Sequence, residues 1–173
     1  MPYSMDDFFK DTRGILKSEP GPAGVEKIKA NMERLIKDGD FVKQHFHDDV
    51  EYGVRRLYVD PELGFVVLGY RCEKANSTPV HDHGDSWAVY GQVREYTEMT
   101  EYDRIDDGKD PSRATLKVKS KYKLNPGQGG MYLGRHLHAA FTPVNSCYLR
   151  VTGTDLEKIS RVRIDQATGN IIG

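Results

Sequence analysis

The stretch that most constrains the fold is Thr78-Pro79-Val80-His81-Asp82-His83-Gly84-Asp85-Ser86-Trp87. It follows a turn signal at residues 76–79 and leads into a run of β-branched and aromatic residues. On a β-strand, residues i and i+2 point to the same face and lie about 6–7 Å apart. Two imidazoles at His81 and His83 can therefore converge on one metal ion.

The other four histidines also form His-x-His pairs, His45/His47 and His136/His138. The second of these pairs lies on a separate predicted strand, well downstream of His83. A third histidine from that strand would complete a facial set and leave positions open for substrate and for oxygen or water. The first pair stands in a polar stretch before the strands, which is typical of a solvated surface.

Short runs of β-branched and aromatic residues surround the motif on both sides, and turn signals separate them. This spacing predicts an all-β sandwich or barrel. The predicted strands cover residues 52–59, 65–72, 86–93, 96–105, 114–124, 136–142 and 147–152. A glycine-rich run at residues 127–130 is interpreted as a turn because it lacks the phosphate-loop pattern.

Before residue 48 the apolar spacing is helical instead. One helix is predicted over residues 4–17, capped by Ser4 with Asp7 completing a capping box. A second spans residues 22–37, with Pro22 in its first turn and Gly39 as its C-terminal stop. Residues 41–46 add a short turn. The expected organisation is one domain over residues 1–173, with a helical segment at 1–47 and a barrel at 50–173.

The amino-acid composition argues against several classes of function. The 173 residues include 25 Lys and Arg against 26 Asp and Glu, a net charge of −1. That balance argues against a nucleic-acid or anionic-membrane binder. The N-terminus lacks the basic and apolar regions of a secretory signal, and two cysteines, Cys72 and Cys147, cannot form a disulfide framework. We therefore expect a cytoplasmic protein with reduced thiols.

At residues 78–86 the sequence resembles the metal motif of the cupin thiol dioxygenases of the cysteine dioxygenase type, in the RmlC-like cupin superfamily. The resemblance extends over about residues 55–152. It implies a small antiparallel cupin (jelly-roll) barrel with a helical N-terminal segment. Trp87 occupies the place at which ordinary cupins carry a ligating glutamate, which suits the three-histidine Fe(II) site of the thiol dioxygenases. A second, looser cupin motif covers residues 134–142.

The third metal ligand is His136 or His138, and we favour His138. Residues 142–146 are predicted to form a hairpin that places His138 opposite Arg150 and His136 opposite Thr152. When the position of the family's third histidine ligand is counted forward from Pro126, it falls nearest to His138. His136 would share its face as a neighbouring or alternative ligand.

The resemblance also implies an arginine that clamps the substrate carboxylate, and Arg55 lies at the matching distance before His81. A planar guanidinium can hold a carboxylate by two parallel bonds. Arg55 is expected to face the metal and Arg56 to face outward. The late strand departs from the Ser-x-His-x-Tyr set of the family and reads Tyr148-Leu149-Arg150-Val151-Thr152.

Tyr148 and Arg150 are the candidate replacements on that strand, on a face that points at the site. An inward Arg150 needs an acidic partner, Asp82 or Asp85, or an anionic ligand. The expected function is oxidation of a small anionic thiol by O2 to a sulfinate, with L-cysteine a poor substrate. The alternatives are a zinc or other divalent-metal enzyme with a non-thiol substrate, and a non-enzymatic anion-binding cupin. The sequence leaves the oligomeric state open.

Overall fold

The computed structural model describes residues 3–173, so Met1 and Pro2, the start of the stretch searched for a signal, lie outside it. Three helices come first: α1 (Met5–Ser18), α2 (Pro22–Ile36) and α3 (Gly39–His45). The strands are β1 (Gly53–Val59), β2 (Val66–Arg71), β3 (Asn76–Ser77), β4 (Val80–His81), β5 (Ala88–Arg94), β6 (Thr97–Arg104), β7 (Leu116–Leu124), β8 (Gly129–Tyr132), β9 (Leu137–Thr142), β10 (Cys147–Thr152) and β11 (Arg163–Ile164). The chain is therefore mostly β with a helical N-terminus.

The helix starts follow local capping. The hydroxyl of Ser4 accepts from the backbone N–H of Asp7 at 3.1 Å, and the Asp7 carboxylate accepts from the N–H of Ser4 at 3.0 Å. This confirms the predicted capping box. The expectation that Gly39 stops α2 is wrong, because the Asp38 carboxylate accepts two N–H groups and starts α3 at Gly39.

Two antiparallel sheets form the rest of the described chain. The first sheet has the strand order β1-β2-β10-β5-β8 and the second has β11-β4-β9-β6-β7, with β3 paired to β9. All seven predicted strands are present, with ends shifted by at most two residues. The strands that the sequence missed include β3, β4 and β11, which are only two residues long.

The predicted hairpin between β9 and β10 is wrong. These strands belong to different sheets, so His138 is not paired with Arg150. The turn conformation itself is as expected, since Asn145 has a φ of 61°. Two backbone hydrogen bonds join Cys72, at the end of β2, to Asn145 and Ser146. They draw the chain across to the first sheet, away from β9.

The main core lies between the helices and one face of the first sheet. Val67, Val89 and Leu149 from that face pack in one buried cluster with Ile28 and Met32 of α2. Gly91 allows the helix to lie close, because a Cβ there would stand 2.7 Å from the Cγ of Met32. The opposite face of the sheet looks toward the second sheet.

The interpretation of the glycine-rich run as a turn is wrong for its second half. Gly129 and Gly130 belong to β8 and pair with Gly91 and Tyr90 of β5. A Cβ at Gly129 would lie 3.1 Å from the Cγ of Glu33, so the bare backbone lets α2 pack over this sheet edge. Among the helices described, none is both long and apolar enough to cross a membrane.

Candidate metal centre

Three histidines from two neighbouring segments meet between the sheets. His81 in β4 and His138 in β9 are direct partners across the ladder, and His83 follows in the loop after β4. The ring centroids of His138 lie 4.5 Å from those of His81 and 4.8 Å from those of His83. One nitrogen from each ring falls within 4.8 Å of the others. The structure thus brings together the three residues that the sequence selected.

The ring nitrogens are arranged as metal ligation requires. The Nδ1 atoms of His81 and His138 lie 3.0 Å and 3.1 Å from the backbone oxygens of Pro79 and His136. A neutral ring that donates from Nδ1 leaves Nε2 free to bind a metal. Nε2 of His138 and Nδ1 of His83 are buried and have no hydrogen-bond partner. Such orphaned atoms in a histidine cluster fit a divalent metal ion.

The electrostatic environment keeps these rings uncharged. Burial, with a contribution from His138 and His81, lowers the pKa of His83 to about 2. Burial and the neighbouring His81 lower the pKa of His138 to about 3. Imidazole binds a metal only in its neutral form, so both rings are in the binding state at neutral pH.

The alternative third ligand, His136, stays outside the cluster. Its ring centroid lies 6.5 Å from that of His138, and its Nε2 lies 3.3 Å from a carboxylate oxygen of Glu101. The geometry therefore favours His138 over His136. His47 is exposed, as expected for a solvated surface, whereas His45 in α3 is half-buried with its ring centroid 5.0 Å from that of Phe41. Neither belongs to the cluster.

A cavity of about 190 Å³ adjoins the histidines. Its lining includes His81, Arg150 and the three tyrosines Tyr70, Tyr90 and Tyr148. Within residues 3–173, no Asp or Glu lines this cavity. The volume is below the range of about 300–1,000 Å³ that holds drug-sized ligands, so only a small molecule fits inside.

Arg150 faces this cavity as a half-buried cation whose Nε is fully buried. Among the described residues it makes no ion pair, and its Nε has no hydrogen-bond partner. The two expected acidic partners are engaged elsewhere. Asp82 accepts the backbone N–H groups of Gly84 and Val162, and Asp85 pairs with Arg135 at 3.1 Å. The guanidinium instead lies 5.2 Å from the ring centre of Tyr70.

The expectation that Arg55 points toward the metal is wrong. Arg55 is the register partner of Gly69, which is the partner of Leu149 on the helix-covered face. Its guanidinium donates to the backbone oxygen of His45 at 2.5 Å and lies 5.5 Å from the ring centre of Phe46. Neighbours on a strand alternate faces, so Arg56, not Arg55, shares the face of Arg150. Arg56 sits at the exposed sheet edge, 3.3 Å from Asp155.

Tyr70 and Tyr148 remain protonated donors in the cavity. Burial raises the pKa of Tyr70 to about 12 and that of Tyr148 well above its ordinary value. The rings of Tyr70 and Tyr148 stack with centroids 4.4 Å apart. The hydroxyl of Tyr90 lies 3.3 Å from Nε2 of His83. Tyr148, a sequence candidate, is therefore in the cavity.

Sequence reasoning missed two polar neighbours of the site. Tyr90 was not among the candidate site residues, although it follows the histidine motif on an alternating strand and lines the cavity. Glu101 is the register partner of His138 on β6. No sequence signal marks Glu101, because its position depends on which strand pairs with β9.

Comparisons with known proteins give a fold-level likeness only. No family model matches the sequence, and no curated protein matches it. Among solved structures, the Cnp3 cupin domain of Schizosaccharomyces pombe has 10% identity and a TM-score of 0.45, covering 64% of this chain and 68% of that one. An RmlC-like cupin protein of Desulfovibrio desulfuricans has 10% identity and a TM-score of 0.44, covering 62% and 92%.

The DMSP lyase DddQ of Ruegeria pomeroyi DSS-3 is similar over a longer part of the chain. It has 12% identity and a TM-score of 0.45, with coverage of 88% of this chain and 76% of that one. Similar solved structures therefore include cupin proteins. At these scores the likeness carries no weight for the activity, which depends on the side chains of the site.

Proposed function

We propose that the chain is a three-histidine non-haem Fe(II) dioxygenase of cupin type. Its substrate is a small thiol carboxylic acid, and the reaction is RSH + O2 → RSO2H, which balances without a further reductant. The observation that carries the proposal is that a candidate metal ligand and a candidate anion-binding group line one small cavity. A histidine of the cluster, His81, and a half-buried cation without a carboxylate partner among the described residues, Arg150, line the same 190 Å³ space.

Arg150 is the group that binds the substrate carboxylate. A buried guanidinium without a counter-charge is costly, so an anion that completes it gains a large electrostatic stabilisation. The planar fork can hold both carboxylate oxygens and thereby fixes the direction of the chain that follows. This directs the thiol end of the substrate toward the histidines.

The other polar groups orient the substrate and exclude water. Tyr148 and Tyr90 line the cavity with hydroxyl groups, and Tyr90 also reaches His83. Fe(II) held by the three imidazoles would supply the redox chemistry of oxygen activation, for which the side chains themselves have no equivalent. The contribution of the protein is positioning and charge neutralisation.

The charge of the cavity sets the substrate class. It has one cation and no acidic residue in its lining. An ammonium group on the substrate would therefore enter without a counter-charge, next to Arg150 and the metal. Thiols that carry one or two carboxylates and no amine are favoured, and L-cysteine and cysteamine are disfavoured.

Two measurements on the purified protein test the proposal. Elemental analysis after purification without added metal should find iron, and His83→Ala should lose it, whereas exposed His47→Ala should keep it. Oxygen uptake with product analysis should then show sulfinate from 3-mercaptopropionate and mercaptosuccinate, with L-cysteine and cysteamine poor. Zinc without oxygen uptake would favour a metal-water enzyme, and anion binding without turnover would favour a binding protein. Either result would overturn the dioxygenase assignment.

A further inference from the structure

A carboxylate outside the cavity lies in the same row of the second sheet as two of the clustered histidines. Glu101 of β6 is the register partner of His138, whose partner on the other side is His81. The ladder between β6 and β7 has a bulge between Glu101 and Tyr102. Bulges change the aim of a side chain, and here the Glu101 side chain is only 15% exposed.

One oxygen of this carboxylate is linked to a residue that packs on His138. Tyr122 donates its hydroxyl to Oε1 of Glu101 at 2.8 Å, and Tyr132 lies 2.8 Å from the Tyr122 hydroxyl. A hydroxyl has one proton, so Tyr132 must donate to Tyr122. The fully buried Tyr132 ring stacks on His138 with centroids 4.3 Å apart.

The other oxygen contacts the residue that orients His138. Oε2 of Glu101 lies 3.3 Å from Nε2 of His136, without the alignment of a hydrogen bond. The backbone oxygen of His136 is in turn the acceptor for Nδ1 of His138, at 3.1 Å. Displacement of His136 would therefore remove the acceptor that selects the His138 tautomer.

The link from Glu101 through Tyr122 to Tyr132 and the contact from Glu101 to His136 end on either side of one turn. Tyr132 is the last residue of β8, and His136 immediately precedes β9. We propose that Glu101 is a positioning residue that holds both ends of the turn at residues 133–136. It thereby locks His138 as the Nδ1–H tautomer, with Nε2 free for the metal. The inference rests on the metal site of the proposed function, but the tautomer is a property of the metal-free protein.

If Glu101 only supported the fold, it would stabilise the chain without selecting the tautomer of His138. The two roles separate in a comparison of Glu101→Ala with Glu98→Ala. Glu98 is the second residue of the same strand, and its carboxylate pairs with Lys121 at 2.9 Å. It is a matched loss of a carboxylate that has no link to His138.

The experiment combines nitrogen NMR with a metal titration. In metal-free protein labelled at the histidine nitrogens, the wild type and Glu98→Ala should show His138 as the Nδ1–H tautomer, and Glu101→Ala a mixture. Co(II) titration should give an affinity about 10–100-fold weaker for Glu101→Ala and unchanged for Glu98→Ala. Glu101→Gln keeps the acceptor for Tyr122 and should recover most of the affinity.

The outcomes distinguish the proposals. If Glu101→Ala does not fold, Tyr122→Phe is tested instead. That variant removes only the hydrogen bonds that link Glu101 to Tyr132, and it should still weaken Co(II) binding. An unchanged tautomer in the folded variant overturns the inference, even with weaker Co(II) binding, because Glu101 would then act by charge alone. A wild type that binds no Co(II) defeats the metal site, and the tautomer measurement still decides the role of Glu101.

Discussion

The two faces of the first sheet have different tasks, and β10 shows this within six residues. Cys147, Leu149 and Val151 point toward the helices and join the main apolar cluster. Tyr148 and Arg150, between them, line the cavity beside the histidines. Because side chains alternate along a strand, one register assigns one set to stability and the other to binding.

The same rule separates two arginines that look equivalent in the sequence. Both side chains are half-buried and the Nε of each is unpaired, but Arg55 donates from Nη2 to a backbone oxygen on the helix-covered face, whereas Arg150 faces the cavity without an acidic partner among the described residues. Satisfied polar groups support a fold, whereas an unsatisfied buried cation is what an anionic ligand completes. The comparison predicts opposite consequences for matched substitutions on the two faces.

The largest effect is expected on the helix-covered face. Leu149→Ala empties a fully buried position beneath the helices and should lower the free energy of unfolding by about 3 kcal/mol. Urea unfolding measures this, with Co(II) binding as the second readout. If the variant keeps its stability but loses metal, the division of tasks between the faces is wrong.

Next in size is the loss of anion binding on the cavity face. Arg150→Met should weaken binding of 3-mercaptopropionate to the metal-loaded protein by about 100-fold, since a charge-assisted pair is lost. Arg55→Met should leave binding unchanged, because Arg55 points away from the cavity. Calorimetric titration measures both, and equal losses in the two variants would show that the assignment of faces fails.

A smaller effect of opposite sign is expected without ligand. Arg150→Met removes a half-buried cation that has no acidic partner among the described residues, so the ligand-free protein should gain about 1 kcal/mol in unfolding free energy. Arg55→Met should lose a little stability, because it gives up its hydrogen bond to His45. Thermal unfolding of both variants in a buffer without carboxylates measures the signs, and a loss for Arg150→Met would contradict the argument.

The smallest effect concerns the pH dependence of stability from Arg13, a cation of α1 that does have an acidic partner, Asp60. Burial raises the pKa of Asp60, but hydrogen bonds from Arg13 and from the backbone of Leu63 outweigh it, and the pKa falls below 3.8. The pair therefore stabilises the fold above about pH 4, and the contribution is lost as the pH falls through the lowered pKa. Asp60→Asn should flatten this acid dependence, because the neutral amide has no charge to lose while its Oδ1 can still accept the N–H groups of Glu62 and Leu63. Unfolding curves from pH 3 to 7 measure it, and a slope equal to the wild type would exclude Asp60 as its source.

Local signals in the sequence predicted a large part of this structure. Alternation, turn residues and the capping box predicted the long strands and α1, and the His-x-His spacing pointed to His81 and His83 and left His136 and His138 as alternatives. The choice of His138 depended on the family resemblance and on a hairpin that does not form. Pairing between distant strands was not predictable, and the two errors that concern the site follow from it. β9 pairs with β4 and β6 and not with β10, and the register of β1 turned Arg55 away from the cavity. Glu101 was invisible for the same reason, since its neighbour lies 37 residues along the chain.

The pairing of His81 with His138 also has a kinetic meaning. These residues meet in adjacent strands although β5, β6, β7 and β8 lie between them in the chain. Closing so long a loop has an entropic cost that later contacts must offset, which makes such pairings slow steps of folding. The three imidazoles therefore converge only after both sheets have assembled. During refolding, capture of a metal ion would report the final ordering of the chain and not its early collapse.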